Sequence, residues 1–182
     1  DWSSDVCSSD LLLFSLGALQ WGISIQSGIY LLFTSLLISL ALIDLDTRRI
    51  PNTLTYGIGL LALAQLLLGT FGVLPEALSL KGMLWGAAIG ALPLLILLIV
   101  GQLLNVQVMG MGDFKLMLFS GLLIGPIVAF YSLLIAFVLG GLGALWALLI
   151  QRRGLKAQIA FGPYLAMGLY FSLLYSTYFY LY

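Results

Sequence analysis

A single aspartate follows two glycines in Gly110-Met111-Gly112-Asp113, between two long apolar stretches of the chain. An ionised carboxylate among apolar groups costs several kcal/mol unless it faces a polar cavity, so such a residue marks a candidate functional site. The groups that could share a cavity with Asp113 decide which chemistry is available there.

Two further aspartates, Asp44 and Asp46, follow another apolar run and precede Pro51 and Asn52. The chain contains no histidine, which excludes Ser-His-Asp and Cys-His catalysis and any histidine-ligated metal site. Paired carboxylates are then the best acid and base catalysts that this sequence can supply. That chemistry requires no metal and no organic cofactor.

The composition places these aspartates in a membrane protein. Hydrophobic residues make up 62% of the 182 residues and charged residues 8%, and the mean hydropathy is +1.15. These values exclude a soluble core and predict an all-α, polytopic membrane helix bundle. We expect about six full spans and a truncated first helix over residues 11–21, with the lipid bilayer as a partner, no nucleic-acid partner and an oligomeric state left open.

Residues 1–11 differ from the rest of the chain. They are polar and contain three of the seven acidic residues and the single cysteine. The string is what a common sequencing-adapter oligonucleotide encodes when translated, so we interpret it as an artefact and assign residues 12–182 to one membrane domain. A native polar tail is the alternative. Without these residues, seven basic residues stand against four acidic ones, a net charge of +3.

The basic residues predict the orientation of the chain. Arg48 and Arg49 follow the first complete span, and a cytoplasmic position for them places the segment around Asp113 on the same side. Six of the seven basic residues then lie on or next to the cytoplasmic side, and Lys81 lies outside. We therefore expect both acidic motifs at the cytoplasmic face.

The apolar run after Asp113 is too short for a simple span. Residues 114–124 would give a helix of about 16 Å, roughly half the thickness of a hydrocarbon core. Either the helix begins deeper than the glycines suggest, or the bilayer is thinned there, or the run is re-entrant. Gly82, Gly86 and Gly90 in the preceding span leave one helix face without side chains, which favours close helix packing.

The motifs together resemble a known family. Asp44-x-Asp46-x-x-x-Ile50-Pro51-Asn52 and Gly110-x-Gly112-Asp113-x-Lys115, followed by Phe161-Gly162-Pro163, are similar in order and spacing to the motifs of bacterial type IV prepilin leader peptidases. These are intramembrane aspartyl proteases of the GxGD class. The resemblance covers roughly residues 12–182, and the three motifs together are far more specific than a single Gly-x-Gly-Asp.

The resemblance implies catalytic roles for Asp44 and Asp113. It implies an endopeptidase in the bacterial inner membrane that cleaves the leader of a prepilin or pseudopilin at the cytoplasmic face. Family members often carry an amino-terminal part with Cys-x-x-Cys motifs and N-methyltransferase activity, which this sequence does not contain, so methylation is not predicted. Supporting roles are implied for Asp46, Pro51, Asn52, Gly110, Gly112, Lys115, Phe161, Gly162 and Pro163.

Other interpretations fit parts of the same pattern. Asp113 could cap a helix at the membrane interface, and Asp44 and Asp46 could belong to a solvated loop. A proton-coupled transporter could use Asp44 and Asp113 as a relay, although we find neither inverted repeats nor a mid-span acidic residue. A non-catalytic scaffold of a pilus or secretion machine is a third possibility, and it predicts that carboxylate substitutions leave function intact.

Overall fold

A computed structural model describes residues 15, 17, 24–47, 50–74, 77–104, 110–149 and 161–176. The regular structure in these ranges is helical, which confirms the predicted all-α class. Apart from Ser15 and Gly17, the predicted first helix lies outside the described residues, as do Arg48, Arg49 and Glu76. The six helices are α1 (Ile25–Thr47), α2 (Asn52–Thr70), α3 (Leu80–Leu103), α4 (Met111–Ile124), α5 (Pro126–Leu149) and α6 (Gly162–Leu174).

Four of these helices are long and apolar enough to cross a membrane: α1, α2, α3 and residues Pro126–Trp146 of α5. Helix α6 is a shorter apolar helix, and α4 has 14 residues. The chain is therefore a multi-pass membrane helix bundle, as the composition predicts.

The short helix α4 lies at the centre of the bundle. It packs against α3 most extensively and also against α2, α5 and α6, whereas α1 packs against α2 and α6. A helix enclosed in this way does not need a full lipid-facing length, because its neighbours supply the surrounding apolar surface. Its buried residues are Asp113, Leu116, Met117, Ser120, Gly121, Leu123 and Ile124.

Close backbone contact joins α3 to α4. A side-chain carbon added at Gly86 would meet the carbonyl oxygen of Gly121, and one added at Gly90 would meet Met117 at 3.2 Å. The packing role expected for Gly86 and Gly90 is thus confirmed, whereas Gly82 lies against its own helix start. Gly86 is level with Gly121, and Gly90, which comes later in α3, is level with Met117, which comes earlier in α4. The two helices are therefore antiparallel.

Helices α5 and α6 are also antiparallel. Gly168 lies against Ser132, and Gly143 lies against the Tyr164 ring, where a side-chain carbon would meet the ring carbon Cζ at 2.6 Å. Small residues at both contacts let the two helices approach closely, as is common between membrane helices. Helix α6 therefore begins beside the later part of α5.

Helices α2 and α4 run in the same direction. Asn52 of α2 contacts Lys115 of α4. One turn further along each helix, Tyr56 contacts Phe119. The six helices consequently alternate in direction. We call the end that holds the end of α1 and the starts of α2, α4 and α6 the site end, and both Asp44 and Asp113 lie there.

Helix α4 begins below the site end of α3. In the antiparallel register set by Gly86 and Gly90, Met111 lies level with Ile96, seven residues before α3 ends at Leu103. Seven helical residues correspond to about 10 Å. At its other end α4 reaches the start of α3 and joins α5 through Gly125, whose positive φ of 81° suits glycine. The short run is thus a recessed helix whose two ends lie towards opposite ends of the bundle.

Candidate active site

Asp44 lies in the last turns of α1, and its side chain is buried, with 4% of its surface exposed. Its Oδ2 atom accepts a hydrogen bond of 3.1 Å from the backbone N–H of Gly162. The two residues are 118 positions apart in the chain, so this contact fixes the end of α1 to the start of α6.

The Phe161-Gly162-Pro163 segment explains how α6 can begin there. Phe161 is the residue before the helix, and Pro163 occupies its first turn, where the missing N–H of proline costs nothing. A side-chain carbon at position 162 would lie 2.5 Å from Asp44 Oδ2, so only glycine lets the carboxylate reach this amide. The start of a helix also favours a negative charge.

Asp113 occupies the first turn of α4, and 7% of its surface is exposed. Gly110 precedes the helix, and its carbonyl oxygen accepts a hydrogen bond of 3.2 Å from the Asp113 N–H. The Gly110 N–H donates in turn to the Asp113 carboxylate, as in a capping box. Asp113 therefore caps α4, and capping does not prevent its carboxyl group from taking part in catalysis.

The structure brings the two carboxylates together. Asp113 is close enough to Asp44 for their charges to interact. Each side chain lies at the first turn of a short helix, Asp44 at α6 and Asp113 at α4, and both helices start at the site end. This arrangement gives two buried carboxyl groups at the same end of the bundle.

Gly112 permits a second close approach at this site. A side-chain carbon there would lie 2.7 Å from Ile50 Cβ, so a larger residue would push the segment after α1 away from α4. Pro51 follows in extended geometry, with φ −70° and ψ 129°, and precedes α2. The glycines of the motif thus serve packing at Gly112 and capping at Gly110.

Lys115 contacts α2 rather than the carboxylates. Its Nζ donates a hydrogen bond of 3.1 Å to Asn52 Oδ1 and lies 6.0 Å from the centre of the Tyr56 ring. Sequence reasoning did not single out Tyr56. The four-residue spacing from Asn52 to Tyr56 on a predicted helix was the available signal, because it puts both side chains on one face.

Asp46 does not share the environment of Asp44. It is exposed and lies in the final turn of α1, which continues to Thr47, so Asp44 and Asp46 are helical and do not belong to a solvated loop. Residues two apart on a helix point in different directions. The helix geometry therefore separates the two aspartates, and the supporting role of Asp46 stays a prediction.

The described residues offer no cluster suited to a metal ion, because no three aspartate, glutamate, histidine or cysteine side chains come together among them. What they do offer is a pair of carboxyl groups in a polytopic helix bundle. Such a pair can activate water and protonate a leaving group when one member is ionised and the other is not.

Comparison with known proteins identifies the class to which this fold and site belong. The sequence model of the Type IV leader peptidase family matches residues 31–148, and the chain belongs to that family. A curated relative named prepilin leader peptidase/N-methyltransferase from Stutzerimonas stutzeri is 34% identical over 168 residues, which cover 90% of this chain and 55% of the relative.

Relatives with the same name show the same pattern. That of Neisseria gonorrhoeae is 35% identical over 162 residues, covering 86% of this chain and 52% of the relative. That of Aeromonas hydrophila is 35% identical over 149 residues, covering 79% of this chain and 48% of the relative. The chain thus spans about half the length of the curated relatives it matches. No solved structure matches the chain.

Proposed function

We propose that this chain is an intramembrane aspartyl endopeptidase that removes the leader peptide of type IV prepilins or pseudopilins. The observation that carries the proposal is that Asp44 and Asp113 are both buried at one end of the bundle, close enough for their charges to interact, in a chain of the Type IV leader peptidase family. Peptidase activity follows from the family, whereas the aspartyl mechanism rests on this pair of carboxyl groups.

The mechanism uses one proton held by the pair. The ionised carboxylate takes a proton from a water molecule, whose oxygen attacks the carbonyl carbon of the scissile peptide bond. The protonated carboxyl donates its proton to the carbonyl oxygen, which gives a neutral tetrahedral intermediate. On collapse, a proton passes to the leaving nitrogen and the C–N bond breaks, leaving one carboxylate ionised as before.

The backbone around the pair keeps the carboxyl groups in place during these steps. Gly162 N–H holds Asp44 Oδ2, and Gly110 N–H holds Asp113. Fixed donors of this kind limit the reorganisation that the reaction requires. They also explain why the Phe161-Gly162-Pro163 segment belongs to the site although it is remote in sequence.

The recessed start of α4 supports peptide cleavage near the membrane surface. The first turn of α4, which carries Asp113, lies about 10 Å below the end of α3. A peptide cut there must be extended, because a peptide bond inside a helix has its carbonyl engaged in hydrogen bonding. We infer that a substrate with a short leader before a hydrophobic helix presents its boundary segment here. A prepilin or pseudopilin has this design.

The cytoplasmic orientation is part of the proposal. The segments that join helices at the site end contain Arg48, Arg49, Arg152, Arg153 and Lys156, whereas Lys81 lies near the opposite end. Positive residues favour the cytoplasmic side, so the site end faces the cytoplasm of a bacterial inner membrane. No methyltransferase activity is proposed for this chain.

The test is cleavage of a purified prepilin by the chain in liposomes, with the cut position read by mass spectrometry. We expect one cut at the boundary between leader and hydrophobic helix, lost in Asp44→Asn and in Asp113→Asn. Full cleavage by either variant contradicts the aspartyl mechanism. Proton flux through the same liposomes, lost in both variants while no prepilin is cut, would instead support the transporter.

A further inference from the structure

The two candidate catalytic aspartates are carried by helices that barely touch each other. Helix α1 packs mainly against α6 and α2, and α4 packs mainly against α3 and α2. The distance between Asp44 and Asp113 is therefore set by intermediate elements. One of these is α6, which holds Asp44 through Gly162, and the other is the start of α2.

The start of α2 is fixed to α4 by a row of contacts. Ile50 lies against Gly112, and Asn52 Oδ1 accepts from Lys115 Nζ at 3.1 Å. One turn later, the rings of Tyr56 and Phe119 lie 6.0 Å apart, edge to face. The hydrogen bond from Lys115 to Asn52 is the polar contact of this row. It depends more strictly on distance and angle than the two apolar contacts do.

Lys115 has neutral partners in this row. Its ammonium group lies between the amide oxygen of Asn52 and the face of the Tyr56 ring, and a cation is attracted to both groups. A hydrogen bond to a charged donor is stronger than one between neutral groups. The Asn52–Lys115 pair can therefore hold the first turn of α2 against the first turns of α4.

We infer that Asn52 and Lys115 form a positioning pair that sets the spacing between Asp44 and Asp113. Only four residues separate Thr47, the last residue of α1, from Asn52, the first residue of α2, so a shift of α2 along α4 moves Asp44. The pair acts on the reaction through the carboxylates and touches no substrate. This role rests on the proposed function for its catalytic consequence, but its geometric claim stands separately.

The geometric claim is tested with spin labels at Leu45 and Met111, whose side chains are 60% and 55% exposed. Cys7 is replaced by serine so that the two labels are unique. The pair keeps the label distance narrow in wild type and in the control Thr53→Ala, which changes an exposed neighbour. In Asn52→Ala the distribution broadens or shifts. An unchanged distribution in Asn52→Ala overturns the inference, whether or not the protein cleaves a prepilin.

The catalytic consequence is tested by cleavage kinetics. Asn52→Ala and Lys115→Met each lower kcat roughly 10- to 100-fold with little change in KM, the size expected for a displacement of about 1 Å. The double variant is no slower than the single ones, because the residues act as a unit. Asn52→Asp retains activity through a charged pair with Lys115 and loses it when Lys115→Met is added.

The positioning role is contradicted if the losses of the two single variants multiply in the double variant, or if only KM changes. A broadened label distance without cleavage by any form supports the pair and counts against the proposed peptidase.

Discussion

Replacing Gly162 with alanine tests the contact between α6 and Asp44. The added carbon would lie 2.5 Å from Asp44 Oδ2 and 2.9 Å from its carboxyl carbon. Carbon and oxygen in favourable contact lie about 3.3 to 3.6 Å apart, so the carboxylate must move by about 0.8 Å or more. The hydrogen bond to the Gly162 N–H lengthens or breaks as a result.

The effect on activity should exceed the effect on stability. A misplacement of about 1 Å at a reacting group can lower the rate up to roughly 100-fold, so Gly162→Ala should reduce kcat about 10- to 100-fold. Where the backbone conformation suits alanine, a change from glycine to alanine stabilises the folded protein by about 0.4–1 kcal/mol, because it reduces the conformational entropy of the unfolded chain. That gain partly offsets the lost hydrogen bond, and the melting temperature should change little.

Prepilin cleavage and thermal unfolding in the same detergent measure both quantities. Gly141→Ala is the matched control, because a side-chain carbon at Gly141 meets nothing within 4 Å and the residue also lies in a helix. Wild-type kcat in Gly162→Ala, with Gly141→Ala equally active, would refute the assigned role of the Gly162 contact.

Three further substitutions test the packing of the helices and the role of Asp46. Gly112→Ala should lower cleavage because its added carbon meets Ile50 Cβ at 2.7 Å, and Ile50→Gly, which removes that Cβ, should restore activity in that background; failure of this rescue contradicts the steric explanation. Gly86→Ala should destabilise the protein by about 1–3 kcal/mol in denaturant unfolding, because the carbon meets the backbone of α4, and wild-type stability would contradict the packing. Asp46→Asn should reduce cleavage far less than a change at Asp44, because Asp46 is exposed at the end of α1; complete loss in Asp46→Asn with Asp44→Asn still active would exchange their roles.

Much of the fold could be predicted because the bilayer imposes it. Long apolar runs must form helices when no water satisfies the backbone, and runs separated by polar segments alternate in direction. The alternation of the runs is enough to put Asp44 and Asp113 at the same end of the bundle. The motifs then indicated which carboxylates to pair.

Contacts between distant segments could not be predicted in this way. The sequence marks Gly162 as part of a motif, but the hydrogen bond from its N–H to Asp44 depends on where α6 begins in three dimensions. The depth of α4 likewise depends on the match of Gly86 with Gly121. Helical periodicity alone does not determine the register between two helices, since the packing of small residues sets it.

The measurement that tests the central claim most directly is single-turnover cleavage by Asp44→Asn, Asp113→Asn and the double variant, each confirmed as folded and inserted. If the two carboxyl groups share one proton and act as a unit, each single change abolishes cleavage and the double variant is no slower than either. Measurable cleavage that persists in one single variant, and falls further in the double variant, would show that the two aspartates act independently and would contradict the dyad.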